Sequence, residues 1–172
     1  MITNILPVLI VTLLMSYLYS ASKKKPKYDE KGNIILKLPA FYYLFGVALM
    51  IGGIGLICYV FFFNNKIDKM YGIIFSLIGI IPGVLFFVKG YISNIVLNET
   101  GITENTMFGK QKTIKWNELL DVTFGKMSQE LNMKGGSNNI KAHIHLVGFP
   151  TLIEKLEEKT GKSIKSLIVE RR

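Results

Sequence analysis

The sequence predicts membrane-spanning α-helices joined to a small α+β domain, an antiparallel β-barrel or sheet with a C-terminal helix. Three observations carry this. Two long stretches, Ala40 to Phe63 and Tyr71 to Val88, are apolar and uncharged. The 172 residues combine 49% hydrophobic content with a formal net charge of +9. After Tyr91 the hydrophobic residues recur at strand spacing between short turns, and near Thr151 they change to helical spacing.

Crossing a hydrocarbon core of about 30 Å takes roughly 20 mostly apolar residues in a helix. No charged residue stands between Pro39 and Lys66, nor between Lys69 and Lys89. A core helix of a soluble protein shows a polar face, and neither stretch has one. The connection Asn64–Met70 is too short to hold a domain, so residues 40–90 are expected to form an antiparallel hairpin. Gly72, Ser76, Gly79 and Gly83 fall at i, i+4, i+7 and i+11, and Ala48, Gly52 and Gly55 make a shorter stripe on the first arm. Such stripes let backbones approach closely in lipid, either within the hairpin or against another membrane protein or a second copy. Pro82 removes a backbone donor and is expected to kink the second arm. Phe41, Tyr42, Tyr43, Phe61, Phe62, Phe63, Tyr71 and Tyr91 gather at the ends, as an interfacial belt does. The lone cysteine, Cys58, rules out an internal disulfide framework and reads as a small lipid- or helix-facing residue.

Met1 to Ala21 carries no charged side chain, and Ser22-Lys23-Lys24-Lys25-Pro26-Lys27 follows it. A signal peptide places positive charge ahead of its apolar core, whereas here the charge comes after it. Tyr19 also stands where a cleavage site needs a small side chain. Residues 1–21 are therefore expected as an uncleaved transmembrane helix, with a signal peptide as the alternative. Six lysines lie between Lys23 and Leu38 against Asp29 and Glu30. The positive-inside bias then places the N-terminus and the hairpin tip outside, and residues 22–39 and 91–172 in the cytoplasm. The expected location is the cell membrane, spanned more than once. Lys23, Lys24, Lys25 and Lys27 serve as a topology signal and also suit anionic lipid headgroups, each such contact contributing about 1 kcal/mol near the surface.

Within 91–172 six strands are expected: Ile92 to Leu97, Ile102 to Phe108, Lys112 to Trp116, Leu119 to Phe124, Glu130 to Met133 and Ile140 to Val147. Leu120, Val122 and Phe124 share a face under strict alternation. Asn98-Glu99-Thr100-Gly101 and Gly109-Lys110 are turns, and Lys134–Asn139 reads as a hairpin loop. An amphipathic helix follows, with Thr151 as N-cap, Glu154 three residues on, and Gly161 as its stop. Before the hairpin, Ile34 to Leu38 reads as one more strand after a turn at Glu30–Asn33.

Three stretches resemble the bacterial pleckstrin-homology-like (PH-like) domains of small membrane proteins: Asn98-Glu-Thr-Gly-Ile102, Lys112-Thr-Ile-Lys-Trp-Asn-Glu-Leu-Leu-Asp-Val122 and Gly148-Phe-Pro-Thr-Leu-Ile-Glu-Lys-Leu156. The resemblance covers about half the chain. It implies a strand opening after a Gly-Ile turn, a Trp-containing stretch crossing a sheet corner, about seven strands, and a C-terminal helix plugging the barrel. Ile34–Leu38 would supply the seventh strand, with the hairpin inserted in the domain and the barrel flush with the membrane. Trp116 is the expected fold anchor, with Leu120, Val122 and Phe149.

Sites for chemistry are sparse. His143 and His145 would share a strand face, but a metal site needs three or four ligands, so no metal or cofactor is expected. No nucleophile elbow, P-loop or HExxH helix occurs. Glu118 and Asp121 suit the turn after Trp116. No ionisable side chain other than Cys58 and tyrosines stands within the apolar stretches, which argues against a pump or transporter working alone. Positive charge is split between the juxtamembrane lysines and a mildly basic end at Lys162, Lys165, Arg171 and Arg172, so no nucleic-acid partner is expected. The function expected is a non-enzymatic interaction or regulatory module at the membrane, with lipids as partners. The alternative is an accessory subunit of a transporter or channel complex, touching its partner through Gly72, Gly79 and Gly83.

Overall fold

The computed structural model describes residues 5–62 and 69–169. Met1–Asn4, Phe63, Arg171, Arg172 and the hairpin connection up to Asp68 lie outside the described residues. In chain order the elements are α1 (Ile5–Ser22), β1 (Lys27–Tyr28), β2 (Ile34–Lys37), α2 (Phe41–Phe62), α3 (Lys69–Tyr91), β3 (Asn94–Leu97), β4 (Gly101–Asn105) and β5 (Gln111–Lys115). A single 3-10 turn, Trp116–Glu118, leads into β6 (Leu119–Gly125), β7 (Glu130–Gly135), β8 (Asn138–His143), α4 (Phe149–Thr160) and α5 (Ile164–Val169). The described residues up to Pro39 and from Asn94 onward form one compact unit, and Ala40–Ser93 forms another.

The first unit is α+β. One antiparallel sheet has the order β1-β2-β3-β4-β5 and a second the order β6-β7-β8. The strand expected at Ile34–Leu38 is β2, and it pairs with β3 in the register Ile34↔Leu97 to Lys37↔Asn94. Two strands adjacent in the sheet are thus separated in sequence by the entire helical hairpin. Alternation dictates the inward set: Ile34 and Leu36, Ile95 and Leu97, Ile102, Ile114, Phe124, Leu131 and Met133, Ile140 and Ala142. Leu152, Ile153 and Leu156 of α4 complete this core from one helix face, with Phe149 before them and Ile164 of α5 after. Burial of each such aliphatic side chain stabilises the fold by roughly 1.5–3 kcal/mol.

Local chemistry sets the boundaries. The β7–β8 connection is two residues long, with Gly136 at φ +54 and Gly135 paired to Asn138. The helix expected to start at Thr151 begins earlier. Gly148 is its N-cap at φ +82, and Pro150, with φ fixed by its ring, fits the first turn. A side chain at Gly148 would also strike Pro26 and Leu36. Gly161, at φ +67, ends α4 by donating its N–H to the Glu157 carbonyl at 2.9 Å. The strand expected to reach Val147 stops at His143, because Leu146 N–H turns back to the His143 carbonyl at 3.0 Å. Helix α5 escapes sequence patterning. The Glu157 carboxylate accepts the N–H groups of Ile164 and Lys165 at 2.7 and 2.9 Å and so organises its first turn.

In the second unit, α2 and α3 are long and apolar enough to cross a membrane. The stripe Gly72, Ser76, Gly79 and Gly83 faces α2, and the closest approaches are backbone to backbone. A Cβ on Gly46 would lie 2.5 Å from Phe87 N and 2.6 Å from Gly83 O, and one on Gly83 would lie 2.9 Å from Gly46 O. Ser76 is buried and donates its hydroxyl to the Gly72 carbonyl at 2.8 Å. On α2, however, the packing residues are Gly46, Gly53 and Val60 at a seven-residue spacing. The expected stripe of Ala48, Gly52 and Gly55 is exposed, and added Cβ atoms on Gly52 and Gly55 meet nothing within 4 Å. Both sets have heptad spacing, and it is the phase of Gly46, Gly53 and Val60 that faces α3. Helix α3 runs without a break from Lys69 to Tyr91 through Pro82. The aromatic rings of one end meet each other, Tyr43 with Tyr91 at 6.4 Å and Phe87 with Tyr91 at 5.7 Å between centroids. Cys58 is exposed on α2.

Candidate functional site

The most elaborated surface of the α+β unit is the corner where the chain passes from the first sheet to the second. Ile114 is the last inward residue of β5, and Leu119 opens β6. Between them Trp116 lies half-buried against the core. Its indole N–H donates to the Asn98 carbonyl at 2.9 Å, and its backbone N–H donates to the Thr100 carbonyl at 3.1 Å. Asn98 in turn organises the β3–β4 turn. Its Oδ1 accepts from Thr100 N, Gly101 N and the Thr100 hydroxyl at 2.8–3.0 Å. Gly101 is required because β5 passes directly over it, where a side chain would collide with Ile114 O and Lys115 Cα. Trp116 therefore ties the β3–β4 turn to the corner.

Two depressions meet at Trp116. A groove of about 430 Å³ is lined by Trp116, Leu119, Leu120, Asp121, Val122, Lys159, Thr160, Lys162 and Ile164. A smaller one of about 110 Å³ is bordered by Lys31, Asn33, Ile34, Asn98, Glu99, Trp116, Lys155 and Lys159. Leu120 was expected on the core face with Val122 and Phe124, but it is 72% exposed. The reason is a bulge. The register steps from Leu119↔Gly135 to Asp121↔Lys134, leaving Leu120 without a partner and turning it outward. Leu119 packs against the core in its place.

The rim is basic with local compensation. Lys159 lies 3.6 Å from Glu99, Lys155 2.8 Å from Glu158, and Lys115 3.3 Å from Glu118. The Lys155 hydrogen bond holds the Glu158 carboxyl below its usual range. Glu118 and Asp121 are both exposed. The groups lining this surface can make apolar contacts and hydrogen bonds to a bound partner.

The remaining polar groups lie elsewhere. Glu104 and Lys112 face each other across β4 and β5 at 3.6 Å, and Lys112 also donates to the Asn139 carbonyl at 3.3 Å. Burial pushes the Glu104 carboxyl up, opposed by Lys112. His143 ends β8 and His145 lies beyond it in the following turn, so they do not share a strand face as expected. Their rings are 4.8 Å apart, and His145 N–H donates to His143 Nδ1 at 3.2 Å. His145 is buried, which pushes its imidazole pKa down. Among the described residues no cluster of three metal-ligating side chains occurs. Lys23, Lys24, Lys25 and Lys27 are all exposed, the first lying 4.2 Å over the Tyr19 ring and the last standing in β1. Lys162 lines the larger groove, and Lys165 lies 3.9 Å from Glu157.

The sequence singles out Trp116 and places Asn98 in a turn, but it shows neither the hydrogen bond that joins them nor the outward turn of Leu120. No protein family, curated protein or solved structure matches this chain.

Proposed function

We propose that this is a multi-pass protein of the cell membrane that presents a cytoplasmic PH-like domain as a non-enzymatic interaction or regulatory module. The observation that carries the reading is the inserted hairpin. Its two helices use small residues for their mutual contact and leave Leu44, Ile51, Ile54, Phe62, Phe75 and Ile78 exposed. A helix pair apolar on all sides needs apolar surroundings, and a bilayer supplies them. Helix α1 is a shorter apolar helix over Pro7–Ser22 and contributes a third span in this reading. The PH-like assignment is supported by an antiparallel sheet of five strands, β1–β5, a second of three, a Trp-bearing corner between them, and α4 as the closing helix. The six lysines between Lys23 and Leu38 favour the cytoplasmic side.

Alkaline carbonate extraction of membranes containing the full chain tests the anchor. The chain is expected to sediment with the lipid, and residues 94–172 to be digested by protease only in inside-out vesicles. Release into the supernatant would refute the membrane reading, and digestion in right-side-out vesicles would refute the topology. The accessory-subunit reading loses the stripe Gly72, Gly79 and Gly83, which α2 already fills, and rests instead on the uncovered Ala48, Gly52 and Gly55. Native mass spectrometry of the gently extracted protein separates the two: bound anionic lipid favours the module, and a defined complex with a second membrane protein favours the subunit.

A further inference from the structure

We infer that the β4–β5 turn, Thr106–Lys110, is a lipid-inserting wedge with Phe108 as its tip. Phe108 is 78% exposed, whereas Phe124 and Phe149, the other phenylalanines of this unit, are buried in its core. The turn beneath it is tight. Thr106 N–H donates to the Lys110 carbonyl at 2.8 Å, Gly109 N–H to the Thr106 carbonyl at 3.0 Å, and Gly109 sits at φ +74. The exposed ring is therefore held out by a closed, hydrogen-bonded turn, with the exposed Lys110 two residues away. An apolar tip beside a lysine matches a headgroup–acyl boundary, where the ring is dehydrated and the ammonium stays among the phosphates.

Register fixes which end of the sheet the wedge occupies. Lys37 pairs with Asn94, Asn94 with Asn105, and Asn105 with Gln111. The turn thus stands at the end where β2 leaves for α2 and β3 arrives from α3. A chain of side-chain amides ties them, Asn105 Nδ2 donating to Asn94 Oδ1 at 2.7 Å and Gln111 Nε2 to Asn105 Oδ1 at 3.2 Å. Chain length bounds the distance to the helices whatever their orientation. From Lys37 to Phe41 the backbone spans at most about 14 Å, and from Asn94 to Tyr91 about 11 Å. Adjacent strands lie only about 4.8 Å apart. A turn tethered this closely to two membrane helices falls within reach of their own bilayer surface, and that surface is the occupant proposed for Phe108.

The inference rests on the membrane reading above, and its test separates the two. The full chain with Cys58→Ser and Phe108→Cys is labelled with an environment-sensitive fluorophore and reconstituted in vesicles of phosphatidylcholine and phosphatidylglycerol. Some of the lipid carries a nitroxide high on the acyl chain. A chain labelled at Ser137→Cys, in the β7–β8 turn by the Trp116 corner, is the reference, and Lys110→Cys is a second probe of the wedge. A label seated about 5–10 Å into the boundary should emit to the blue of the reference and lose roughly half its fluorescence or more to the nitroxide. Equal emission and quenching at 108, 110 and 137, in a chain that resists alkaline extraction, would overturn the wedge and leave the anchor standing. A blue-shifted label that the nitroxide does not quench would put a protein there and overturn it as well. Alkaline release of the chain would remove both readings together.

Discussion

Replacing Gly46 by alanine tests the seam that holds the hairpin together. The added methyl would sit 2.5 Å from Phe87 N and 2.6 Å from Gly83 O, and neither backbone atom can rotate away. Ordinary contact begins near 3.4 Å, so α2 and α3 must part by roughly 1 Å at that level, and a gap of this size forfeits a quarter to a half of each dispersion contact nearby. Overpacking of this kind costs about 1–3 kcal/mol, against up to about 1 kcal/mol gained because alanine is the better helix former. Gly52→Ala and Gly55→Ala take the same propensity gain with open space around the new methyl. The difference between Gly46→Ala and Gly52→Ala is therefore free of the propensity term and should be about 1–3 kcal/mol. Gly79→Ala, whose Cβ would meet Leu49 O at 3.5 Å, should behave like the controls.

Gly83→Ala adds a second check, because its methyl would lie 2.9 Å from Gly46 O, at the same crossing. Once one substitution has spread the helices the other meets less resistance, so the double variant should lose less than the sum of the singles. The assay is unfolding of the full chain in mixed micelles by rising dodecyl sulfate. It is followed by near-ultraviolet circular dichroism of the tyrosines, to which the Tyr43–Tyr91 and Phe87–Tyr91 contacts contribute. A Gly46→Ala chain as stable as Gly52→Ala would mean that Gly46 does not stand in the seam, and the reasoning would fail at its base.

Two further outcomes follow from the α+β unit. Trp116→Phe keeps the ring in the core margin but removes the indole N–H from the Asn98 carbonyl, and should lower the domain's denaturant stability by about 0.5–1.5 kcal/mol. No loss would mean that water replaces the bond without penalty. Burial lowers the His145 pKa in the folded state, so the unfolded chain takes up a proton first as pH falls. Stability should be full above the ordinary imidazole pKa of about 6.5 and decline below it, until the folded pKa is passed. His145→Gln should flatten that part of the profile in a urea titration across pH, and an unchanged slope would reject the assignment.

Elements defined by strong periodicity were legible in the chain itself: the two long apolar helices, six strands after the hairpin, β2 before it, and the helix ending at Gly161. Features that depend on one residue's partner were not. Strict alternation puts Leu120 inside, and only the register step opposite Lys134 and Gly135 turns it out. The stripe Ala48, Gly52 and Gly55 has the same small residues as the true seam. Whether it packs is decided by the heptad phase of Gly46, Gly53 and Val60 against α3, which spacing on one helix does not reveal. Helix α5 depends on the Glu157 carboxylate reaching forward to Ile164 and Lys165, a capping arrangement with no local sequence signature. The site shows the same division. Trp116 is conspicuous as the lone tryptophan, while Asn98 and Lys159 join it only after the chain has folded.

The hairpin interrupts a sheet between neighbouring strands, and its geometry explains why the interruption is tolerated. Were residues 38–93 a flexible loop, closing it would cost about 2 kcal/mol more than closing a turn of about four residues. Instead, Phe41–Phe62 and Lys69–Tyr91 within them are two helices in contact. At the end where the chain leaves and returns, a Cβ on Gly90 would lie 2.7 Å from Tyr43 N, so Tyr43 and Gly90 are already neighbours. A preformed hairpin returns the chain close to where it departed, and the pairing of Lys37 with Asn94 then behaves as a local contact rather than a distant one. The same argument couples the two units energetically. Conditions that separate α2 from α3 restore the entropy of the long loop and weaken β2, the strand whose Ile34 and Leu36 help to fill the core. Strands β6–β8 form their own hydrogen-bonded sheet and feel the loss of β2 through the core they share with it.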